Sequence, residues 1–212
     1  MYPALLSLLV GLGQGLLHGL GPDHCAAIAT LGATGDRRKS LRVALSFAWG
    51  HTLVLGALAG ACLALGVGLS EVFERWAERL GGFVLVALAV TALLFPGTLQ
   101  HGHPNLPPHG HDHEHHHHRA SRLGGFAGAL MAVSGARALA LALPPLLVGG
   151  ALHLAGWVYL PAFGLGVFLS MAGLGLAVST GASRLSLHGA ARLQRAVAVS
   201  SGALGVVWIA LA

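Results

Sequence analysis

The sequence contains few charged residues. Only 9% of its 212 residues are Asp, Glu, Lys or Arg, whereas 55% are hydrophobic, and the mean hydropathy is +0.73. A soluble domain normally has about 25% charged residues. This shortage excludes an ordinary soluble protein and predicts an all-α integral membrane protein, because an apolar helix satisfies its own backbone hydrogen bonds in lipid.

Motifs that identify several other protein classes are also absent. No nucleotide-binding or hydrolase-like motif occurs, so we expect neither an ATP-driven pump on this chain nor an enzyme. The net charge of +5 is thinly spread without an aromatic stacking surface, which argues against a nucleic-acid partner. The first 14 residues carry no basic residue and no A-x-A-like cleavage site, so we expect the first apolar run to be retained as a span.

The two cysteines have no recognisable pattern. Cys25 and Cys62 form no CxxC motif and no zinc-like spacing, and each lies in an apolar segment. The simplest interpretation is that they are small buried hydrophobic residues. The alternative is a membrane thiol relay in which the two cysteines shuttle electrons.

Six apolar segments are long enough to span a bilayer, which takes about 20 helical residues. They cover approximately residues 3–33, 43–69, 80–99, 124–147, 150–180 and 194–212. A polar loop, 100–123, separates a first half (1–99) from a second half (124–212). Since each half has three spans, the second half would enter the membrane opposite to the first. The prediction is therefore six transmembrane helices arranged as two inverted three-helix halves.

The basic residues lie mainly on one side of these spans. The loops after the first, third and fifth spans hold nine Lys and Arg residues, whereas the opposite side holds only Arg75 and Arg79. By the positive-inside rule, this predicts a protein of the cytoplasmic membrane with both termini outside and the 100–123 loop in the cytoplasm.

Four histidine and aspartate side chains lie in the first two apolar spans: His18, Asp23, His24 and His51. His24 lies about ten residues before the cytoplasmic end of its span, and His51 about ten residues after the start of the next, which places both near the midplane. The two spans are joined by a short loop and should be neighbours. The four side chains are therefore predicted to cluster.

The stretch HGLGPDH, residues 18–24, cannot be one straight helix if its side chains converge. A helix turns by about 100° per residue, which would point His18, Asp23 and His24 in different directions. Glycine admits unusual backbone angles, and proline removes a hydrogen-bond donor. We therefore expect the first helix to be interrupted at Gly21–Pro22.

A metal ion would explain this cluster. An ionised carboxylate within a bilayer costs roughly 2.5–3.5 kcal/mol on insertion scales, and a divalent cation would offset its charge. Imidazoles with one carboxylate and no thiolate suit nickel, cobalt, zinc or copper(II) better than magnesium or calcium. The alternative is that each histidine makes an ordinary hydrogen bond between helices.

The loop between the halves has a metal-binding composition. The segment HGHPNLPPHGHDHEHHHH, residues 101–118, contains nine of the fourteen histidines. It is internal and mixed with other residues, unlike a purification tag. Imidazoles in such a loop would bind ions exchangeably, so we expect it to buffer metal or deliver it to a cytoplasmic acceptor.

These motifs resemble those of a known transporter family. HGLGPDH followed by FAWGHTLVL resembles the two signatures of the NiCoT nickel/cobalt transporters, H-x4-D-H in an early span and G-H-[ST] in the next. The segments AVSGARALALALP and FGLGVFLSM are similar to second-half segments of the short, urease-accessory-type nickel permease branch. Many members carry an acidic residue where this chain has Gly21.

The resemblance implies a membrane permease for Ni²⁺ and/or Co²⁺ without a prosthetic group. It implies four residues in the metal path: His18, Asp23, His24 and His51. We expect uptake. An exporter of the same fold is the alternative, because a related exporter branch also has histidine-rich loops. The resemblance decides neither the preferred metal nor the oligomeric state.

Four further residues are weaker candidates. Arg137 is the only basic residue within a predicted span and could line the translocation cavity or extend towards the interface. His153 could be a ligand near the outer surface. The hydroxyls of Ser134 and Ser170 could bind water on the ion, although serines are common at helix contacts.

Overall fold

The described part of the chain is all-helical. The computed structural model describes residues 2–32, 37–95, 114–135 and 151–212. These residues form seven α-helices and no strand. The helices are α1 (Tyr2–Gly19), α2 (Pro22–Gly32), α3 (Arg37–Leu65), α4 (Glu71–Leu94), α5 (Glu114–Ser134), α6 (Ala151–Ser183) and α7 (Leu187–Leu211). The predicted all-α class is confirmed for these ranges.

Several of these helices are long and apolar enough to cross a membrane. Four described segments meet this criterion: Ser40–Leu65, Glu71–Leu94, Ala155–Gly181 and His188–Leu211. The consecutive helices α1 and α2 pass the same test together, as a bent pair, which brings the candidate spans to as many as five. Large apolar side chains such as Leu17, Leu53 and Trp76 are exposed on the outer faces, as expected in lipid. The chain is therefore a multi-pass membrane protein.

Some predicted features lie partly outside the described residues. The predicted fourth span, 124–147, is described only to Gly135, so the sixth membrane crossing stays a prediction. Residues 100–113 of the predicted 100–123 loop also lie outside the described ranges. The division of the chain into two halves stays a prediction for the same reason.

Four helices begin earlier than the predicted spans. Helix α3 starts at Arg37 rather than near residue 43, and α5 starts at Glu114 rather than near residue 124, so residues 114–123 of the predicted loop are helical. The other two begin at a helix cap. Helix α4 starts at Glu71 rather than near residue 80, and α7 starts at Leu187 rather than near residue 194. Each follows a capping serine, Ser70 or Ser186, whose hydroxyl accepts a hydrogen bond from the N–H of the third residue after it. Such a cap stabilises a polar first turn, which a hydropathy pattern does not detect.

The predicted interruption of the first span is confirmed. Helix α1 ends at Gly19, α2 begins at Pro22, and the axes of the two helices differ by 56°. At the break, the N–H of Gly21 donates to the carbonyl of His18 at 2.9 Å, and the N–H of Cys25 donates to the carbonyl of Gly21 at 2.9 Å. Proline fits the first turn of α2 because the N–H that it lacks has no partner within the helix there.

The half-helix α2 lies in the middle of the bundle. It contacts α3, α4, α6 and α7. Its apolar residues Ala27, Ile28 and Leu31 are buried and belong to the core cluster, which also contains Phe47 and Met171. The break at the start of α2 is therefore surrounded by other helices.

Small residues allow the remaining helices to pack closely. The main pairs are α1 with α6, α3 with α5, α4 with α7, and α3 with α6. In the α4–α7 pair, a Cβ atom at Gly82 would lie only 2.7 Å from the carbonyl oxygen of Gly205, and one at Gly205 would lie 2.6 Å from that of Gly82. Larger side chains at either position would force the helices apart, as in other membrane helix pairs with small residues at their contact.

Candidate metal site

Three imidazoles converge at the break between α1 and α2. His18 lies in the last turn of α1, His24 in the first turn of α2, and His51 in the middle of α3. The Nε2 atom of His51 is 3.3 Å from Nε2 of His18 and 3.4 Å from Nε2 of His24. One ligand atom from each residue lies within 4.8 Å of the other two, so the group could hold a single metal ion.

The cluster lies deep inside the protein. His51 is 0% exposed, His24 is 2% exposed, and His18 is half-buried. Aromatic rings enclose two of the histidines: the ring of Phe47 stacks on His51 at a centroid distance of 6.2 Å, and the ring of Phe163 lies 5.5 Å from His18. This shell restricts access of water to the imidazoles.

Asp23 lies behind His24 rather than beside the three Nε2 atoms. Its Oδ1 is 2.8 Å from Nδ1 of His24, and its side chain is buried, with the residue 4% exposed. The contact lacks the geometry of a hydrogen bond, but a negative charge this close favours a proton on Nδ1, which leaves the Nε2 lone pair free. The structure therefore brings together His18, His24 and His51, and joins Asp23 to them through His24.

The helix ends provide a favourable electrostatic setting. His18 lies at the C-terminal end of α1, where the helix dipole favours a cation. Asp23 lies in the first turn of α2, where the dipole favours an anion. The interrupted helix thus stabilises both a positive ion and the carboxylate that offsets its charge.

The second half of the chain also contacts the site. Gly135, which follows α5, lies against His18: a Cβ atom added there would be 3.1 Å from Nε2 and 3.2 Å from Cε1 of His18. Phe163 of α6 contacts the same ring. Neither Gly135 nor Phe163 was predicted from the sequence as part of the site. The only sequence signal for Gly135 was its place in the SGAR segment, where helical hydropathy is interrupted.

The hydroxyls of the two candidate serines are engaged within their own helices. The Ser134 hydroxyl donates to the carbonyl of Met131 at 2.6 Å, and the Ser170 hydroxyl donates to that of Val167 at 3.0 Å, so both bond to their own helices. Arg137 and the side chain of His153 lie outside the described residues.

Both cysteines are free thiols. Cys25 donates weakly to the carbonyl of Leu20, with a sulfur–oxygen distance of 3.4 Å. Cys62 is buried in the apolar core. It lies 11 residues after His51 on α3, which is about 16 Å along the helix axis.

Comparison with known proteins adds no identification. The chain matches no family model, no curated protein and no solved structure. The likeness to the NiCoT family rests on the sequence motifs, and the chemistry of the site rests on the arrangement of the three imidazoles.

Proposed function

We propose that this protein is a permease that moves Ni²⁺ and/or Co²⁺ across the cytoplasmic membrane, with the ion held by His18, His24 and His51. The observation that carries the proposal is the convergence of three Nε2 atoms beside the break between α1 and α2. Nε2 of His51 lies 3.3 Å from Nε2 of His18 and 3.4 Å from Nε2 of His24. Imidazole donors suit both ions.

Metal binding explains the cluster better than hydrogen bonds between histidines. Both short contacts converge on one atom, Nε2 of His51, which carries one hydrogen at most when the ring is neutral. One hydrogen shared between two acceptors gives two poor hydrogen bonds. A cation at the centre would instead accept a lone pair from each of the three nitrogens.

Asp23 supplies the negative charge that a buried dication requires. Its carboxylate lies one imidazole away from the centre of the cluster, through the 2.8 Å contact with His24. Transfer of an uncompensated ion into the membrane is unfavourable, so this charge lowers the barrier to occupancy. The described residues bring three nitrogens together here, and a three-nitrogen site leaves coordination positions for water, which allows the ion to exchange.

The proposed orientation rests on the distribution of basic residues, which leaves the direction of transport open. The excess of Lys and Arg on one side favours termini outside and a cytoplasmic histidine-rich loop, which would buffer the ion or pass it to an acceptor. We propose uptake, and export by the same fold is the alternative, because related families with histidine-rich loops include exporters. We propose six spans in two inverted halves, for which helix packing gives support below.

The geometry gives no support to a thiol relay. Cys25 lies next to His24, at the level of His51, whereas Cys62 is about 16 Å further along α3. A disulfide needs Cα atoms roughly 5.5–6 Å apart. The two thiols therefore cannot exchange electrons through a direct disulfide in this arrangement.

Metal binding and transport by purified protein test the proposal. The loop histidines would mask the site, so the measurements use a loop-silent variant in which all nine histidines of residues 101–118 are replaced by asparagine. We expect saturable Ni²⁺ or Co²⁺ binding and uptake into proteoliposomes, both of which are lost in His51→Ala. The matched control is His188→Ala, an exposed histidine of α7. Unchanged binding in His51→Ala would overturn the proposed site.

A further inference from the structure

Two pairs of packed helices surround the histidine site. Helix α1, which carries His18, packs against α6, and α3, which carries His51, packs against α5. Each pair combines a ligand-bearing helix with a helix from the second half of the chain. We call the two contacts the α1–α6 seam and the α3–α5 seam.

Backbone meets backbone in the α1–α6 seam. A Cβ atom at Gly11 would lie 2.6 Å from the carbonyl oxygen of Tyr159, and one at Gly15 would overlap the carbonyl oxygen of Phe163. In the other direction, a Cβ atom at Gly166 would overlap the carbonyl oxygen of Leu12.

The α3–α5 seam repeats this pattern with different residues. A Cβ atom at Gly124 would lie 2.8 Å from the carbonyl oxygen of Val43, and one at Gly128 would overlap that of Phe47. In the other direction, a Cβ atom at Gly50 would overlap the carbonyl oxygen of Gly125.

The two seams agree position by position. The α1 residues 11, 12 and 15 correspond to the α5 residues 124, 125 and 128, each 113 positions later. The α6 residues 159, 163 and 166 correspond to the α3 residues 43, 47 and 50, each 116 positions earlier. The first helix of one half thus packs on the second helix of the other half, in both directions. An inverted repeat produces this exchange.

The seams lie on opposite sides of the histidines. The α1 part of its seam precedes His18, so it lies on the side of the membrane where α1 begins. Helix α2 continues beyond the break with a bend of only 56°, and α3 returns from the far end of α2 to His51. Residues 43–50 of α3 are therefore on the other side of the cluster.

Each seam contains a phenylalanine that contacts one of the histidines. Phe163 of the α1–α6 seam lies against His18, and Phe47 of the α3–α5 seam stacks on His51. These two phenylalanines occupy equivalent positions, since Phe47 lies 116 positions before Phe163. Separation of either seam would therefore remove an aromatic wall from one histidine.

We propose that the two seams are the gates of the transport cycle. Separation of α1 from α6 opens the histidine site to the side on which α1 begins, and separation of α3 from α5 opens it to the opposite side. Both seams are packed in this structure, and His24 and His51 are enclosed. This inference rests on the proposed permease function and adds to it the helices that open.

An interhelical hydrogen bond crosses each seam among the described residues. In the α1–α6 seam, the Tyr159 hydroxyl donates to Oε1 of Gln14 at 2.5 Å. In the α3–α5 seam, the hydroxyls of Ser46 and Ser121 are 2.5 Å apart. Helices held by one polar contact and close apolar packing can separate without breaking a charged network.

Disulfide locks test each gate separately in a protein without its native cysteines (Cys25→Ser, Cys62→Ser). Ser46→Cys with Ser121→Cys locks the α3–α5 seam. The register predicts that Leu8→Cys with Ala162→Cys occupies the equivalent positions of the α1–α6 seam. Diamide forms the disulfide and dithiothreitol removes it. The reduced form of each protein and the four single-cysteine proteins are the matched controls.

We expect both disulfides to form and each to stop metal flux reversibly. With the α3–α5 seam locked, the site should still bind Co²⁺ added on the side where α1 begins and not on the other. The α1–α6 lock should show the reverse. Flux that continues through either locked protein, or the same sidedness for both locks, overturns the gate assignment. Failure of Leu8→Cys/Ala162→Cys to cross-link overturns the register.

Two single substitutions extend the test if a cysteine protein does not fold. Tyr159→Phe removes the hydrogen bond of the α1–α6 seam, and Ser46→Ala removes that of the α3–α5 seam. Each should raise the accessibility of the site from the side of its own seam, and an identical effect of both would contradict the proposal. Metal binding by all proteins without gating would reject the gates alone, whereas absence of metal binding in the parent protein would reject the permease.

Discussion

Nε2 of His18 lies 3.3 Å from Nε2 of His51, although the residues are 33 positions apart and lie on different helices. Only the break after Gly19 places the end of α1 beside the middle of α3 while α2 carries His24 to the same point. The site therefore depends on the break after Gly19 and on the position of α2 as much as on its three imidazoles.

The three histidines should act as one unit. His24→Ala and His51→Ala each remove one of three nitrogens, and two imidazoles hold a transition metal much less tightly than three. We expect either change alone to abolish saturable Ni²⁺ or Co²⁺ binding to the loop-silent variant. The double variant should then show almost no further loss, because residues that share one ligand are strongly non-additive. Isothermal titration of the four proteins measures this, and additive losses would indicate separate histidines.

Replacement of Asp23 by asparagine should weaken metal binding without harming the fold. Asp23→Asn keeps the side-chain size but removes the charge behind His24, and loss of such partners typically lowers metal affinity by about 10–100-fold. The apo protein should be equally or more stable, since it no longer buries a carboxylate. Titration with Co²⁺ and thermal unfolding in detergent give the two readouts. Unchanged affinity would show that Asp23 has no part in binding.

Pro22→Ala tests the bend in the first span. Pro22 begins α2, and its ring and missing N–H help to keep α1 from continuing as a straight helix. We expect weaker metal binding even though every ligand is retained. Pro161→Ala, which changes an exposed proline within α6, is the matched control and should have no such effect. Wild-type affinity of Pro22→Ala would mean that the Leu20–Gly21 turn alone maintains the break.

The histidine-rich loop should be dispensable for transport itself. Deletion of residues 101–118 removes nine imidazoles but none of the three that converge at the break. We expect an altered apparent affinity or intracellular metal level, with transport still measurable. The measurement is uptake by cells and by proteoliposomes containing normally inserted protein. Complete loss of transport would place the loop in the ion path.

The candidate ligands were predictable because their chemistry is conspicuous in an apolar chain. His18, His24 and His51 stand out among hydrophobic residues, and the Gly21–Pro22 pair indicates a break that the structure confirms. Two physical arguments were therefore sufficient to predict the histidines and the break: the cost of polar groups in lipid and the backbone restrictions of proline.

The rest of the site depends on tertiary packing. Spacing along the chain does not determine that Asp23 turns towards Nδ1 of His24, because this depends on side-chain rotamers in the folded protein. Nor does it determine that Gly135 lies on His18, since α5 reaches that point only through its packing with α3. Glycines are frequent throughout this sequence, so the sequence alone does not predict which of them contact another helix.

Gly135 gives the last prediction, because it tests whether the second half shapes the metal site. A Cβ atom at this position would lie 3.1 Å from Nε2 of His18, closer than most real contacts, so the imidazole must move. A side chain displaced by about 30° from its preferred rotamer costs roughly 0.5–1.5 kcal/mol, so we expect Gly135→Ala to lower metal affinity by about two- to tenfold. Gly13→Ala is the matched control, since a Cβ atom there meets nothing within 4 Å. Equal affinities of the two variants in Co²⁺ titrations would show that His18 is positioned by the first half alone.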